Sequence, residues 1–299
     1  MASNEPDDHR QKTVFNPDRH NAALARAMTR FQPGHDFLMQ RTVEDLMERL
    51  QTVNRQFERG VALFGRTPFL TEAMRASGKV KDVLRVEEAS HLGNCDHVAT
   101  PDVIGLAPQS VDLVIAPYGL HWANDLPGAL IQLHTILKPD GLLLATLPGP
   151  DTLRELRTTL LQAESEITNG AAMRTDPLTD IRDAGALLQR AGFNLPVVDR
   201  EDVTVRYDTP LALINDLRHF GAQNQSDGHP PLTRAVMARM MELYHEQFSD
   251  PDGRIRATFS TIFMSGWAPH ESQQKPLKPG SAKTRLSDAL KVPEIKLKP

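Results

Sequence analysis

The stretch VDLVIAPYGLHWANDLPGALIQLHTILKPDGLLLATLPG, residues 111–149, decides the fold of this chain. It opens with a β-branched, apolar run at residues 111–116 and closes with a second apolar run at residues 142–146. Between them, leucine and isoleucine recur at helical spacing from Leu126 to Leu137. Asp125 comes directly before this segment, and its carboxylate can cap a helix. Two continuous apolar strands joined by a helix are typical of a parallel sheet with helices on both faces.

Shorter elements of the same kind lie on both sides of this stretch. Further strands are predicted at residues 61–64, 80–86, 197–198, 203–207 and 257–267, and further helices at residues 36–50, 71–77, 151–167, 179–191, 211–220 and 232–248. We therefore expect an α/β fold with a mostly parallel sheet that finishes in an antiparallel pair of strands. A helical insertion at about residues 209–250 should lie between the last two strands.

Composition limits the kinds of function that this chain can have. Its 299 residues include 40% hydrophobic and 24% charged residues, the balance of an ordinary globular protein. The net charge of −4 argues against an electrostatic nucleic-acid binder, so no nucleic-acid partner is expected. A single cysteine, Cys95, excludes a disulfide framework and a multi-cysteine metal site, and we interpret it as an ordinary free thiol. No metal site is predicted.

The chain divides by composition into three parts. We predict an N-terminal arm at residues 1–35, of which the first twenty are polar and loose, and a main domain at residues 36–270. Residues 271–299 are rich in lysine and proline and form a predicted disordered basic tail. Two roles stay open for this tail: it only keeps the chain soluble, or it makes a peripheral contact with an anionic membrane surface.

The sequence also carries a prediction of cellular location. No apolar run approaches the roughly 20 residues that a membrane-spanning helix needs. The first ten residues, MASNEPDDHR, are acidic and resemble neither a secretory signal nor a transit peptide. We therefore predict a cytoplasmic protein, with a peripheral position at the inner membrane as a further expectation.

In a parallel α/β sheet, ligands bind beyond the carboxyl ends of the strands. Gly65 follows the first predicted strand, in a turn where small residues let a nucleoside ligand approach the backbone. Glu87 and Glu88 follow the second strand, where a carboxylate can accept hydrogen bonds from ribose hydroxyls, although a solvated acidic pair is the alternative. Asp102 follows the third strand and is a candidate for contact with an adenine ring.

Polar and aromatic residues also follow the fourth strand. His121 is the predicted base or substrate contact, and Trp122 is predicted to pack on the substrate. Each has a structural alternative, because a large aromatic side chain can close a core and Asp125 can serve only as a helix cap. No metalloprotease pattern and no nucleophile elbow occurs in the chain.

Several segments together resemble a known family. They are LHWANDLPGALIQLHTILKPDGLLLATLPGPDTLRELR at residues 120–157, FNPDRHNAALARA at 15–27, LLQRAGFN at 187–194, and the pairs GW at 266–267 and HESQ at 270–273. Over roughly residues 13–285, the chain resembles class I S-adenosylmethionine-dependent methyltransferases. The branch in question contains the malonyl-carrier-protein methyltransferases of biotin synthesis and the complex I assembly factors described as protein-arginine hydroxylases.

The resemblance implies a Rossmann-like, seven-stranded sheet, S-adenosylmethionine as cofactor and a protein substrate, such as a complex I subunit. It implies cofactor contacts from Gly65, Glu87 and Asp102. It also implies a catalytic role for His121, and substrate contacts from Trp122, Asp125 and Asp151.

The chain departs from this family at the cofactor turn. The family pattern DxGxGxG falls on Val61, Leu63, Gly65 and Thr67, so the acidic residue and two of the glycines are replaced. The side chains of Leu63 and Thr67 are expected to crowd the turn, and we predict weak or absent binding of S-adenosylmethionine. Two functions stay open: a methyltransferase-family enzyme that modifies a protein, or a catalytically inactive assembly factor with the same fold.

Overall fold

The computed structural model describes residues 13–32, 34–170, 172, 174–225 and 230–274, and the isolated residues 284, 288 and 291. Its contacts form one compact unit that ends at Pro269 and a second that begins at His270, and the sheet belongs to the first unit. The strands are β1 (Phe57–Leu63), β2 (Val80–Glu87), β3 (His97–Val98), β4 (Val111–Ala116), β5 (Leu137–Pro148), β6 (Asn194–Tyr207) and β7 (Ile255–Trp267).

These seven strands form one sheet in the order β3-β2-β1-β4-β5-β7-β6. Strands β1 to β5 pair in parallel, whereas β7 pairs antiparallel with both β5 and β6. Because β7 alone is reversed, β6 runs in the same direction as β5. This arrangement confirms the predicted α/β fold with an antiparallel last strand.

Eight helices connect and cover the strands within the described residues. They are α1 (Pro17–Thr29), α2 (Phe37–Thr52), α3 (Phe69–Ala76), α4 (Leu126–Ile136), α5 (Arg154–Thr168), α6 (Ile181–Arg190), α7 (Pro210–His219) and α8 (Arg234–Phe248). Helices α7 and α8 lie between β6 and β7 and form the predicted helical insertion.

The side chains of the central strands point alternately to the two faces of the sheet, and each face has its own hydrophobic core. In β1, Val61 and Leu63 belong to the core that α4 and α6 cover, and Ala62 belongs to the core under α2 and α3. In β4, Val114 faces the first core, and its neighbours Leu113 and Ile115 face the second. All six residues of β4 are buried, and five of them are apolar, as expected for a strand that is covered on both faces.

Helix α4 begins where the sequence predicts it. The Asp125 Oδ1 atom accepts a hydrogen bond from the Gly128 backbone N–H at 2.9 Å. A Cβ atom at Gly128 would lie 2.3 Å from Asp125 Oδ2, so a larger residue at that position would require the Asp125 carboxylate to shift. The end of the helix leads directly into β5, whose first residue, Leu137, pairs with Val111 of β4.

The prediction that the first twenty residues are loose is wrong for residues 13–20. Helix α1 begins at Pro17, and the Asn16 side chain accepts hydrogen bonds from the backbone N–H groups of Asp18 and Arg19. Phe15 and His20 are buried. The physical reason lies far along the chain, because the Asn124 Oδ1 atom accepts hydrogen bonds from the Val14 and Phe15 backbone N–H groups at 2.8 and 2.9 Å.

Two further local expectations also differ from the structure. Strand β6 is one continuous strand, not two short pieces, because β7 pairs with it from Asn194 to Tyr207. The KPDG segment at residues 138–141 lies inside β5, not in a separate turn. Residues 1–12 and most of the predicted basic tail lie outside the described residues, so the predicted domain boundaries and the disorder of the tail stay predictions.

Candidate functional site

The turn after β1 brings an arginine to the carboxyl edge of the sheet. Phe64 and Arg66 both have a positive φ, at 58° and 62°, and Gly65 lies between them. A Cβ atom at Gly65 would lie 3.0 Å from the Leu70 Cβ atom, so the glycine allows close packing of the first turn of α3. This contact gives Gly65 a structural role.

Arg66 is the centre of a buried polar cluster at this edge. The residue is 8% exposed, and its backbone N–H donates to Glu87 Oε2 at 3.0 Å. Its guanidinium donates through Nη1 to the carbonyl oxygen of Phe220, just after α7. The guanidinium carbon lies 4.7 Å from the centroid of the Trp122 ring. Arg66 therefore connects three separate parts of the chain.

Glu87 and Glu88 already have partners inside the protein. Both oxygens of Glu87 accept hydrogen bonds, Oε1 from Arg85 Nε at 2.8 Å and Oε2 from the Arg66 N–H. Burial raises the pKa of Glu87 to about 7, although Arg85 acts in the opposite direction. The Glu88 Oε1 atom lies 3.0 Å from His20 Nε2, and its Oε2 atom lies 3.8 Å from Arg66 Nε.

His121 and Trp122 lie in a short 3-10 helix after β4. Their ring centroids are 4.0 Å apart, and the His20 ring lies 4.5 Å from the Trp122 ring on the α1 side. Burial, together with Arg66 and His20, holds the pKa of His121 well below its usual range. His121 is therefore a neutral imidazole near pH 7, and its Nδ1 atom has no hydrogen-bond partner among the described residues.

A cavity of about 100 Å³ lies beside this cluster, and we call it the edge cavity. Its walls come from α2, the turns after β1, β4 and β5, strand β7 and the end of α7. They include the aliphatic and aromatic side chains of Leu38, Tyr118, Pro148, Leu153, Leu217, Phe220 and Phe259. The polar residues on its walls are Arg66, His121, Trp122, Thr152, Asp216 and Ser260.

Several polar atoms of the residues that line the edge cavity are buried without a hydrogen-bond partner. They are Arg66 Nε and Nη2, His121 Nδ1, Trp122 Nε1 and Ser260 Oγ. Such atoms are rare in folded proteins, because each costs about 1–3 kcal/mol when it is left unpaired. Their concentration in residues around one mostly apolar cavity is typical of a ligand-binding site.

The predicted site residues other than Gly65 and Glu87 divide into two groups. His121 and Trp122 line the edge cavity. Asp102, Asp125 and Asp151 do not. Asp102 accepts a hydrogen bond from the Asp125 backbone N–H at 2.9 Å, and it lines a separate cavity of about 80 Å³ beside Glu88 and Asn124.

Asp125 is exposed and caps α4, and Asp151 forms an ion pair with Arg200 at 2.8 Å. Sequence reasoning missed Arg66, His20 and Ser260. An arginine inside an otherwise glycine-type turn was the available signal for Arg66. No signal in the sequence marks Ser260.

The strand order β3-β2-β1-β4-β5-β7-β6, with a ligand cavity at the carboxyl edge, defines the class I S-adenosylmethionine-dependent methyltransferase fold. Solved structures share it: one from Bacillus halodurans has a TM-score of 0.52 at 14% identity, and the YcgJ protein of Bacillus subtilis has a TM-score of 0.51 at 11% identity. Each likeness covers 76% of this chain and 99% of the other, and it concerns the fold alone.

Sequence comparison identifies the family. Residues 71–145 match the family model described as "Methyltransferase domain". The chain is 37% identical over 228 residues to the mitochondrial arginine-hydroxylase NDUFAF5 of Danio rerio, covering 76% of this chain and 69% of that protein. It is 35% identical to the human NDUFAF5 over 71% of this chain and 62% of that protein. The chain belongs to the methyltransferase-domain family that contains these arginine-hydroxylases.

A second group of relatives carries a different activity in its name. The malonyl-[acyl-carrier protein] O-methyltransferase of Methylovorus sp. is 35% identical over 176 residues, covering 58% of this chain and 57% of that protein. The chain thus spans between half and seven tenths of the length of these curated relatives. Both groups are named as enzymes, and the family is one of transferase-like enzymes.

The family implies S-adenosylmethionine, but the residues at the expected position do not fit it. Glu87, the predicted ribose ligand, is fully buried with both oxygens bonded. The Arg66 side chain lies between the turns after β1 and β4. The edge cavity measures about 100 Å³, whereas small-molecule sites measure about 300–1,000 Å³. We therefore derive no reaction step through this cofactor.

The side chain that lies at the expected cofactor site belongs to Arg66 and not, as predicted, to Leu63. Leu63 was expected to crowd the turn, but it is fully buried in the core under α4 and α6, together with Val61. Side chains of a strand alternate between faces, and this register directs Leu63 into the sheet core. The Thr67 hydroxyl instead contacts Asp36 at 3.4 Å. Arg66, which occupies a variable position of the family pattern, fills the space.

No helix in the described part of the chain combines the length and the apolar character that a membrane crossing needs.

Cys95 is a partly exposed free thiol, as expected. The names of the NDUFAF5 relatives describe them as mitochondrial. The predicted cytoplasmic location of this chain stays a prediction.

Proposed function

We propose that this chain is a methyltransferase-family enzyme that modifies a side chain of a protein substrate, and that this substrate belongs to respiratory complex I. One observation carries the proposal: a neutral histidine, His121, lies at a mostly apolar cavity with its Nδ1 atom unpaired. One group of relatives supports a protein-borne target, since its name specifies a malonyl group on acyl-carrier protein, and the name of the other group specifies arginine.

The residues of the edge cavity have distinct roles in this proposal. His121 contacts the reacting group with its imidazole ring, which is neutral near pH 7. Trp122 packs against the stem of the substrate side chain. Phe220, whose carbonyl oxygen is held by Arg66, closes the cavity from the insertion and excludes water from it.

The experiment compares a strain that lacks this chain with strains that carry the wild type, His121→Ala or His134→Ala. His134 is a suitable control, because it also has a lowered pKa and an unpaired ring nitrogen but packs on Phe193, away from the edge cavity. Peptides of the purified respiratory complexes are analysed by mass spectrometry. The mass increase distinguishes methylation, which would require S-adenosylmethionine to bind, from hydroxylation, which would not.

The proposal expects one modified peptide in the wild type and in His134→Ala, and its loss in His121→Ala and in the deletion strain. Identical peptides in all four strains would contradict an enzymatic role. If assembly of the complex still failed in the deletion strain, that result would favour the inactive assembly factor instead.

A further inference from the structure

Two histidine rings are stacked where the end of α7 meets the turn between α1 and α2. We propose that His35 and His219 form a pH-sensitive latch, which holds Phe220 against the edge cavity while at least one ring is neutral and releases it when both rings are protonated. The consequence for substrate access rests on the proposed function, since only a cavity that binds a substrate has to open. The latch itself is a property of the free chain and can be tested without a substrate.

The two rings of the latch are almost parallel. Their centroids are 3.8 Å apart, and the ring planes differ by 5°. His219 is the last residue of α7, and His35 lies just before α2. Both residues are partly exposed, so protons can reach the rings from solvent. Two imidazolium rings at this distance would repel each other, whereas a pair with at least one neutral ring can remain stacked.

A hydrogen bond shows that the His35 ring is neutral in the stack. The Gln32 backbone N–H donates to His35 Nδ1 at 3.2 Å, so this nitrogen carries no proton there. The His35 ring could take its second proton only if this hydrogen bond were lost. Burial, together with the neighbouring His35 and Arg30, lowers the pKa of His219, although Asp216 acts in the opposite direction. The stack therefore resists double protonation.

The charged groups on the elements around the stack act in both directions. The basic ones are Arg26 and Arg30 on α1, Arg66 after β1 and Arg218 on α7, and the acidic ones are Asp36 before α2 and Asp216 on α7. Asp36 accepts a hydrogen bond from the Gln40 side chain at 2.9 Å. Asp216 accepts one from the Tyr207 hydroxyl at 2.8 Å, so both carboxylates have partners away from the stack. Asp216 and the carboxyl end of α7 favour one proton at the stack, and Arg30 opposes a second.

The latch holds a wall that two cavities share. Phe220 follows His219 directly, and its carbonyl oxygen accepts a hydrogen bond from Arg66 Nη1. Phe220 and Arg66 line the edge cavity, and both also line a second cavity, whose walls include His35 and His219. If the end of α7 moved away from His35, this wall would be lost and the two cavities would join. A substrate side chain could then reach His121 through the second cavity.

Two measurements on the full chain test the latch. Nuclear magnetic resonance of isotope-labelled histidine side chains gives the titration of each ring. Amide hydrogen exchange gives the opening of the end of α7, which is read at Phe220 and Ala222, because their N–H groups donate to the carbonyl oxygens of Asp216 and Leu217. The amide of Val114, in the central strand β4, is the reference for global unfolding.

We expect the second proton to bind the pair only well below the ordinary histidine pKa of 6.5. The protection of the Phe220 and Ala222 amides should fall about five- to tenfold between about pH 7 and about pH 5.5. The sign follows from linkage, because the released state binds more protons than the stack, so the stack weakens as the pH falls. The protection of Val114 should not fall in parallel. Independent titration of both rings at the ordinary pKa, or protection at α7 that does not depend on pH, would overturn the inference.

Three variants decide whether charge on the two rings causes the opening. His219→Phe keeps an aromatic ring on His35 but cannot take a proton, so the protection of Phe220 and Ala222 should stay high at low pH. His219→Gln removes the stack and should lower this protection already near pH 7. His245→Gln, at an exposed histidine on α8, is the matched control and should resemble the wild type.

A His219→Phe chain that loses protection at low pH as the wild type does would show that another group causes the opening. None of these results depends on a modified peptide. Failure of the latch and failure of the proposed function are therefore distinguishable.

Discussion

The guanidinium of Arg66 lies over the indole ring of Trp122, with the guanidinium carbon 4.7 Å from the ring centroid. This contact joins the turn after β1 to the turn after β4, and these two strands are neighbours at the centre of the sheet. In a class I fold, the space between those turns is where a nucleoside ligand would lie. Here an arginine and a tryptophan of the chain itself occupy it.

Arg66→Ala should destabilise the protein by about 3–5 kcal/mol, because it leaves Glu88 as a buried carboxylate with one partner fewer. Arg59→Ala is the matched control, since Arg59 forms an exposed ion pair with Asp82 and its loss should cost less than about 1 kcal/mol. The free energy of unfolding in urea measures both effects. Similar values for the two variants would show that the Arg66 cluster does not hold the edge of the sheet together.

Glu87 should make stability depend on pH in a direction that can be measured. Its pKa rises from 4.5 to about 7 on folding, so the folded state holds the proton more tightly than the unfolded state. Its contribution to stability is therefore complete below about pH 4.5 and is lost as the pH rises through about 7. The expected loss is at most about 3 kcal/mol.

Glu87→Gln removes the titration. The difference in unfolding free energy, wild type minus variant, should fall between about pH 5 and about pH 8. Glu58→Gln, at an exposed ion pair with Lys81, is the matched control for replacing a glutamate by glutamine. A Glu87→Gln difference that is constant or increases with pH would show that Glu87 stays ionised in the fold, held by Arg85.

Asn124→Ala should release the N-terminal segment from the body of the fold. The side chain of Asn124 accepts hydrogen bonds from the Val14 and Phe15 backbone N–H groups, and no other contact between distant residues fixes these two N–H groups in the described chain. Their amide hydrogen exchange should accelerate about tenfold. Asn215→Ala, which removes an exposed contact with Arg218, should leave it unchanged. Unaltered exchange in Asn124→Ala would mean that α1 packs without this anchor.

The basic tail should contribute to membrane contact if it has a function beyond solubility. Residues 275–299 contain seven basic and two acidic residues, and each basic residue near an anionic surface contributes about 1 kcal/mol. Replacing the seven basic residues by glutamine should leave the thermal midpoint unchanged and weaken co-sedimentation with anionic vesicles. Equal sedimentation of both proteins would show that the tail only keeps the chain soluble.

The local patterns of the sequence were sufficient to predict most of the fold. The apolar runs of β4 and β5 and the Asp125 cap depend on residues within a few positions of each other, and all three were predicted. The core of the site was not predictable in this way. His20 and Glu88 are 68 positions apart, and the Asn124 contacts with residues 14 and 15 span 110 and 109 positions. Only the assembled sheet brings such residues together.

The cofactor turn illustrates the same limit. The missing glycines and the missing acidic residue were evident from the pattern around Val61 and Thr67. The pattern did not reveal which side chain fills the space, because this depends on which face of the sheet each residue of β1 occupies. Leu63 packs into the core, and Arg66 lies beyond the end of the strand with a positive φ.

We infer that Arg66 and its partners occupy the place where a class I fold would hold S-adenosylmethionine, and that they exclude this cofactor. Calorimetric titration of the wild-type chain with S-adenosylmethionine tests it most directly, with circular dichroism to verify that the protein is folded. We expect no measurable heat at ligand concentrations up to about 1 mM, the range of very weak binding. A dissociation constant in the micromolar range would contradict it, and would show that Arg66 moves aside to admit the cofactor.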